Sequence, residues 1–275
     1  MKYENQMENA KDTVQSNGLY NFLYFSLPFL GVAFLVAVWY MGSMQNVKIF
    51  PTPIMVLQKV VELCGHAISG HTFFGHIGIS LARIAVALGL AILIGVPFGV
   101  LIGWSRFVRA TFGALFECIR PIPILAWIPL MVMWFGIGEE SKIIMIFVGS
   151  LMPIVVNAYT GIKMVSPLYL DVGRMFNASS QRDLLITIVF PAALPTIFAG
   201  IRNATGMAMM VVLAAEMLAA RAGLGFLINR GMEVFDVSLV MSGMVGIGVT
   251  GALLAVLTNY LERRLCPWNV GLVSE

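Results

Sequence analysis

The feature that most constrains this chain is a succession of long apolar runs that carry almost no charge. A helix needs about 20 apolar residues in a row to cross a bilayer. Such runs extend roughly over residues 20–41, 79–104, 112–137, 143–165, 190–219 and 237–261. Since 59% of the 275 residues are hydrophobic and only 11% are charged, a soluble domain could not bury this much apolar surface. The sequence therefore predicts an all-α fold, a polytopic transmembrane helix bundle of about six spans.

The polar segments between the runs predict the topology. Residues 1–19 are polar, and the run after them exceeds the core of about 7–15 residues found in a cleavable signal peptide. We therefore expect a polar tail at 1–19, a retained anchor, and a transmembrane domain over 20–275. Six spans place both termini on one side, and lysine and arginine are more numerous there, which predicts cytoplasmic termini. The segment IMVLQKVVELC predicts an amphipathic helix at the membrane surface.

Prolines interrupt the third run. Pro121, Pro123 and Pro129 lie in or beside it, and Pro153 lies in the fourth run. A proline lacks a backbone donor and bends a helix at the residue where it stands. We therefore expect the third span not to be straight.

The connection after the fourth run is more than a plain loop. Ser166 can cap a helix, Pro167 suits its first turn, and Asn177 is suited to a left-handed stop. Leu168, Val172, Met175 and Phe176 recur at helical spacing, so this short helix would present an apolar face. That face could pack on the protein's own membrane domain, lie on lipid headgroups, or receive a cytosolic partner.

The pattern D-x-x-R-x-x-N-A-S from residue 171, followed by FPAALPTIFAGIR, resembles a known family. It is similar to the cytoplasmic signature loop of binding-protein-dependent ABC importer permeases. Asp171 stands for the family's glutamate, Val172 and Gly173 for its two alanines, and Asn177 for its glycine. The distance from Asn177 to Pro191 is one residue longer than the usual spacing.

Three other blocks carry the same resemblance. They are HIGISLARIAVALGLAILIGVPFGVLIG at 76–103, RPIPILAWIPLMVMWFGIGEESKI at 120–143 and AAEMLAARAGLGFLINRG at 214–231. All three resemble the branch that imports nitrate, sulfonates, taurine and bicarbonate. Several ordered blocks are harder to obtain by chance than one short motif.

The resemblance implies a type I ABC importer permease, with 20–275 as the permease domain and 166–190 as its cytoplasmic coupling loop. It assigns ATPase coupling to Leu168, Asp171, Val172, Gly173, Arg174, Met175, Phe176, Asn177, Ala178, Pro191 and Pro195. The chain has no GxxxxGK[ST] phosphate loop and is not expected to be an enzyme. ATP and Mg would be bound by a cytosolic ABC ATPase in two copies, and this chain would bind no cofactor.

The other implied partners are a second permease chain, expected as a homodimer, an extracytoplasmic substrate-binding protein and membrane lipid. The expected location is the bacterial inner membrane. The expected solute is a small anion such as a sulfonate, taurine or nitrate, with a vitamin or pyrimidine precursor as an alternative. An ion-gradient-driven secondary transporter is a further alternative, but it would need ionisable groups at mid-membrane, and the centres of these spans carry almost no acids.

A few polar residues in or beside the spans are candidates for the pathway or for a gate. They are Glu117, Arg120, Asn157, Arg202 and Glu216. Glu117 and Arg120 are three residues apart and could equally form a structural pair. Asn157 could hydrogen-bond between helices. Arg202 could snorkel, cap the coupling loop or face an anion.

Two other kinds of site are not supported. His66, His71 and His76 are five residues apart, so they would not share one helix face, and no ligand cluster lies beside them in the sequence. We therefore expect no metal site. The net charge of +3 is spread thinly without a basic run, so we expect no nucleic-acid partner.

Overall fold

The computed structural model describes residues 18–47, 49–176 and 180–268, and these residues are almost entirely helical. The helices are α1 (Gly18–Ser43), α2 (Pro53–Gly65), α3 (Phe73–Trp104), α4 (Arg106–Ile119), α5 (Ile128–Phe135), α6 (Glu139–Met164), α7 (Pro167–Met175), α8 (Gln181–Leu184), α9 (Phe190–Ala219), α10 (Leu224–Glu233) and α11 (Val237–Leu265). A short 3-10 turn, Ile124–Trp127, precedes α5, and a π-helical turn, Leu185–Val189, joins α8 to α9. The all-α prediction is confirmed.

The chain divides into two compact units, residues 1–59 and 60–275. In the first unit, the indole nitrogen of Trp39 donates to the carbonyl of Pro51 at 3.0 Å. The apolar part of α1 among the described residues, Phe29–Ser43, is shorter than a full crossing. The first of the six predicted spans therefore stays a prediction, and most of the polar tail at 1–19 lies outside the described residues.

Four helices of the second unit are long and apolar enough to cross a membrane. They are α3, α6, the continuous helix Gln181–Leu218 and α11. They coincide with four of the predicted runs, but three of them begin earlier than predicted. The helix α3, for example, begins at Phe73 because the side chain of Thr72 caps it by accepting from the backbone of Gly75.

The third predicted run is a bent pair of helices. The helix α4 begins at Arg106 and ends at Ile119, and the chain then turns by 88° into Ile124–Phe135. Pro121 and Pro123 lie in this turn, where their missing N–H groups cannot continue the helix. The expectation that this span is not straight is confirmed. With the bent pair counted as one span, the described residues hold up to five spans.

Glycines let the central helices approach closely. A Cβ at Gly99 would lie 2.6 Å from Ala158 Cβ, and one at Gly103 would lie 2.8 Å from Ile162 Cβ, so α3 and α6 run parallel. A Cβ at Gly200 would lie 2.5 Å from Asn157 Cβ. Such small residues allow helix packing in lipid, where the hydrophobic drive is weak.

The directions of these helices define two ends of the bundle. Gly149 packs on Val211 and Gly161 on Thr196, so α9 runs antiparallel to α6. The starts of α3 and α6 therefore share one end with α10, which we call the α10 end. The ends of α3 and α6 share the opposite end with α7, which we call the α7 end.

Candidate functional site

The short helix α7 forms where the sequence predicts it. Ser166 is its N-cap, and its side chain accepts from the backbone of Leu168 at 3.4 Å, with Pro167 in the first turn. The helix ends at Met175, and Phe176 donates its backbone N–H to Val172. Asn177 and Ala178, for which we predict a helix stop and a coupling role, lie outside the described residues.

The apolar face of α7 is exposed. Met175 is 85% exposed and Phe176 is 84% exposed, and Leu168 and Val172 are also exposed. Arg174 donates to Asp171 at 2.9 Å, and both side chains are largely in solvent. The described residues therefore do not show this face packed on the protein's own membrane domain, which is one of the predicted alternatives.

The residue of α7 that is buried is Gly173. A Cβ there would lie 2.1 Å from Ile188 Cδ1 and 3.1 Å from Leu184 Cδ2. Its lack of a side chain lets α7 rest directly on the segment Gln181–Val189, which continues into the long helix α9. The helix α7 therefore contacts the first turns of a membrane-crossing helix.

The segment before α9 is helical, although the sequence indicates a loop up to residue 190. The chain is helical from Gln181 and passes Pro191 by way of the π-helical turn Leu185–Val189, in which Phe190 donates to the carbonyl of Leu185. Such a turn accommodates a proline, which otherwise removes one bond of the α-helical ladder. Pro191 lies in the first turn of α9 and Pro195 lies within it.

A charge network of Arg83, Glu139, Lys142 and Glu216 lies at the α10 end. We call it the buried charge network because Arg83, Lys142 and Glu216 are buried, although the side chain of Glu139 is 59% exposed. The guanidinium of Arg83 donates to both carboxylate oxygens of Glu139 at 2.6 and 2.8 Å. It also donates to Glu216 at 2.6 Å, and Lys142 donates to Glu139 at 2.8 Å. Two cations and two anions are thus paired, which offsets the cost of removing Arg83, Lys142 and Glu216 from water.

The same network holds the turn before α10. Glu216 accepts from the backbone of Gly225 at 2.9 Å, and Arg83 donates to the carbonyl of Ala222 at 2.8 Å. Gly223 has a φ of +127°, and a Cβ there would lie 2.4 Å from the Glu216 carboxyl group. The network therefore fixes a turn that only glycine accommodates at residue 223.

A serine and a histidine of α3 complete the contacts of this turn. Ser80 lies 2.8 Å from Glu216 Oε1, and its oxygen accepts from the backbone of Leu224 at 2.9 Å. His76 accepts from Gly223 through Nδ1 at 3.0 Å, so its Nε2 carries the proton that faces the carbonyl of Ile68 at 3.2 Å. His76 is thus a structural residue of this turn.

Glu216 therefore differs from the exposed pathway residue that a gate would need. It is 1% exposed, and its carboxylate is fully bonded within the chain. Sequence reasoning did not identify Arg83 as its partner, because the two residues are far apart along the chain. A signal was available: an arginine and a glutamate within apolar runs each need an opposite charge.

A cavity of about 470 Å³ lies at the bend after α4. It is lined by residues 119–124 of the bend, by Trp127 and Met131, by residues of α6 between Val148 and Asn157, and by Met207 of α9. Arg120 and Asn157 are its polar lining side chains, and the rest of the wall is largely apolar. This composition is typical of a site for a small solute.

Glu117 and Arg120, which we call the bend pair, lie beside this cavity. Their charged atoms are 3.7 Å apart, so the predicted pairing is confirmed, and both side chains are more than half exposed. Asn157 donates to the carbonyl of Pro153 in its own helix at 2.8 Å. This bond lies within α6, and a hydrogen bond of Asn157 between helices stays a prediction.

Two other predicted residues have defined places. Arg202 pairs with Glu262, which joins α9 to α11, so it does not cap the coupling loop in this structure. Among the residues that the structure describes, no three His, Cys, Asp or Glu side chains are grouped to hold a metal ion.

The long apolar helices, the exposed helix between two of them and the cavity at a helix break define a polytopic membrane transport protein. Residues 95–269 match the family described as binding-protein-dependent transport system inner membrane component. The chain therefore belongs to this family of ABC importer permeases, which are multi-pass, non-catalytic subunits of the inner membrane.

Relatives named as transport permeases match most of the chain. The taurine transport system permease protein TauC of Escherichia coli is 35% identical over 86% of this chain and 88% of its own length. The nitrate import permease protein NrtB of Synechocystis is 32% identical over 87% and 89%. A putative aliphatic sulfonates transport permease, SsuC of Bacillus subtilis, is 30% identical over 86% and 85%.

A solved structure shows the same fold. A chain of the MetNI methionine ABC transporter, in an inward-facing conformation, superposes with a TM-score of 0.59 at 20% identity. It covers 69% of this chain and 94% of that chain. The type I importer fold implied by the sequence resemblance is therefore confirmed.

Proposed function

We propose that this chain forms half of the translocation pathway for a small anionic solute. The solute would be delivered by an extracytoplasmic binding protein, and a second copy of the chain would form the other half. ATP and Mg would be bound by two copies of a separate cytosolic ATPase subunit. The relatives named for taurine, nitrate and aliphatic sulfonates support an anion as the solute.

The observation that carries this proposal is the exposed face of α7. Met175 and Phe176 are among the most exposed large apolar side chains of the described residues. Apolar side chains that stand together outside the spans favour a protein partner. The salt-bridged pair Asp171–Arg174 gives the face a charged border that would set the register of docking.

Contact at Gly173 supports a mechanical role for the same helix. Because α7 rests on Leu184 and Ile188 without an intervening side chain, rigid-body motion of α7 would displace Gln181–Leu218 as a unit. Closure of the ATPase dimer would in this way tilt the spans and open the pathway to alternate sides. The coupling loop would then lie in the cytoplasm together with both termini.

The alternative of an ion-gradient-driven transporter is not supported by Glu216, the buried acid of the spans. Such a transporter needs an acid in a span that can exchange a proton or an ion. Glu216 is held by Arg83, Ser80 and the backbone of Gly225, so its carboxylate has no vacant position for a coupling ion.

Site-specific crosslinking tests the proposal. Cys64, Cys118 and Cys266 would first be replaced by serine, and Met175→Cys or Phe176→Cys introduced. The matched control is Phe235→Cys, a 92% exposed residue at the α10 end. We expect crosslinks to the ATPase subunit from residues 175 and 176 and none from 235. Crosslinks from 235 alone, or uptake that persists after ATP depletion, would refute the proposal.

A further inference from the structure

The cavity at the bend lies at the depth of the membrane interior. The helix α4 has 14 residues from Arg106 to Ile119, so Arg120 stands about 21 Å along its axis. The hydrocarbon core of a bilayer is about 30 Å thick. The other wall of the cavity, between Val148 and Asn157, belongs to the middle of α6. Arg120 therefore lines a cavity beside the middle of a membrane-crossing helix.

The backbone that follows Arg120 is not helical. Pro121, Ile122 and Pro123 connect α4 to the 3-10 turn and form part of the cavity wall. Non-helical backbone at this depth is tolerated where it is buried in protein or lines a cavity. Helix breaks near mid-membrane are also where transporters build their solute sites. The bend is thus placed where a solute would pass.

The guanidinium of Arg120 retains most of its bonding capacity. Among the described residues its ion-pair partner is Glu117 at 3.7 Å, whereas a strong charge-assisted hydrogen bond measures about 2.7–2.9 Å. An arginine has five N–H donors in a planar fork. In the buried charge network, by contrast, Arg83 makes four bonds of 2.6 to 2.8 Å.

From this geometry we propose that the cavity binds the transported solute and that Arg120 binds its anionic group. The ligand class is a small organic sulfonate or carboxylate with a short aliphatic chain. The fork of Arg120 would hold two oxygens of the anion, and the chain would lie against Ile122, Trp127 and Met131. Glu117 is the resting partner of Arg120 and is displaced when the anion binds. This inference rests on the proposed function.

The cavity dimensions agree with this ligand class. A volume of about 470 Å³ holds a solute with a few non-hydrogen atoms and several waters. Asn157 offers a second polar contact on the opposite wall. Its amide can donate to a third anion oxygen or bind an amino or hydroxyl group at the far end of the solute.

The test uses proteoliposomes that contain the whole importer with its ATPase and binding protein. Taurine, ethanesulfonate and propionate serve as radiolabelled or chemically detected probes. We expect Arg120→Gln to lower uptake at sub-saturating solute by roughly 10- to 100-fold, the loss typical of a hydrogen bond to a charged group. We expect Arg120→Lys to show an intermediate loss, because it keeps the charge without the planar fork.

The matched control is Arg230→Gln. Arg230 is 50% exposed and pairs with Glu233 three residues away, whereas Arg120 is 51% exposed with the same spacing to Glu117. We expect its uptake to remain within about twofold of wild type. Wild-type uptake by Arg120→Gln would overturn the inference. The crosslinks of α7 to the ATPase should be unchanged in both variants, which separates this site from coupling.

A second measurement covers the case in which Arg120→Gln does not assemble. In the cysteine-free background, Ile122→Cys should react with a maleimide, and saturating solute should slow that reaction. Phe235→Cys should react equally fast with or without solute. Absence of protection at residue 122 would overturn the inference. If the wild-type importer takes up none of the three probes, the proposed anionic solute class fails instead.

Discussion

The buried charge network and the bend pair both place charged residues in the helix bundle, but they differ in how completely those charges are bonded. Arg83 is 5% exposed, and each of its interactions is completed within the chain. Arg120 is half exposed beside a cavity, with one partner at 3.7 Å. A fully bonded charge stabilises one arrangement of helices, whereas a loosely bonded charge can exchange its partner for a solute.

The largest effect that would test this comparison is expected at Glu216. Replacing Glu216 by Ala leaves Arg83 buried with an incomplete set of partners, and we expect a loss of about 3–5 kcal/mol of stability. The measurement is the thermal unfolding midpoint of the purified protein in detergent. The control Glu233→Ala removes a carboxylate that is 54% exposed, and we expect a change within about 0.5 kcal/mol. Equal midpoints for the two variants would contradict the structural role of the network.

A smaller effect is expected at the turn that the network holds. Gly223→Ala puts a Cβ against the Glu216 carboxyl group at a φ that disfavours L-residues, and we expect a loss of about 2–3 kcal/mol. Thermal unfolding measures this loss as well. Gly248→Ala is the control, because a Cβ there meets nothing within 4 Å. Should Gly223→Ala be as stable as Gly248→Ala, the network would not determine the shape of this turn.

Disturbing the contact between Gly173 of α7 and Ile188 should lower the stability by less. Gly173→Val forces the end of Ile188 to move, which should cost about 1 kcal/mol, since a terminal methyl can rotate away. We expect ATPase binding to persist while solute-stimulated ATP hydrolysis falls. Gly206→Ala, at a helical position with open space, should leave both unchanged. Unaltered stimulation in Gly173→Val would show that this contact does not transmit motion.

The smallest effect on stability is expected at the exposed pair of α7. Asp171→Asn removes an ion pair in which both partners are more than half exposed, and such pairs contribute about 0–1 kcal/mol. Unfolding in detergent should therefore be unchanged, whereas affinity for the ATPase subunit should fall if the pair sets the docking register. A large loss of stability would place Asp171 in the folded core instead.

Local signals in the sequence predicted local structure well. The succession Ser166, Pro167 and an apolar period predicted α7, and the two prolines after Arg120 predicted the bend. The start of the helix before Pro191 was not predicted, because the apolar run begins only at residue 190 whereas the helix begins at Gln181. The π-helical turn Leu185–Val189 accommodates this proline, and the sequence has no local signal for such a turn.

Contacts between distant residues were not predictable in the same way. Glu216 was expected near the pathway, but Arg83 and Ser80 of α3 complete its bonding from more than 130 positions away. A single sequence shows that both charges are present, but it does not give the distance between them in the fold. The cavity could not be predicted for the same reason. It forms where α4, α6 and α9 meet at one depth, and close packing at Gly149 and Gly200 brings these helices together.

Solute uptake with a disabled α7 face is the sharpest test of coupling through this helix. We expect the replacement of both Met175 and Phe176 by Asp to leave the membrane domain intact, because both side chains are exposed. We expect the ATPase subunit to be lost from purified membranes and uptake to stop, while Phe235→Asp retains both. Continued uptake by the double variant without a bound ATPase would contradict the account.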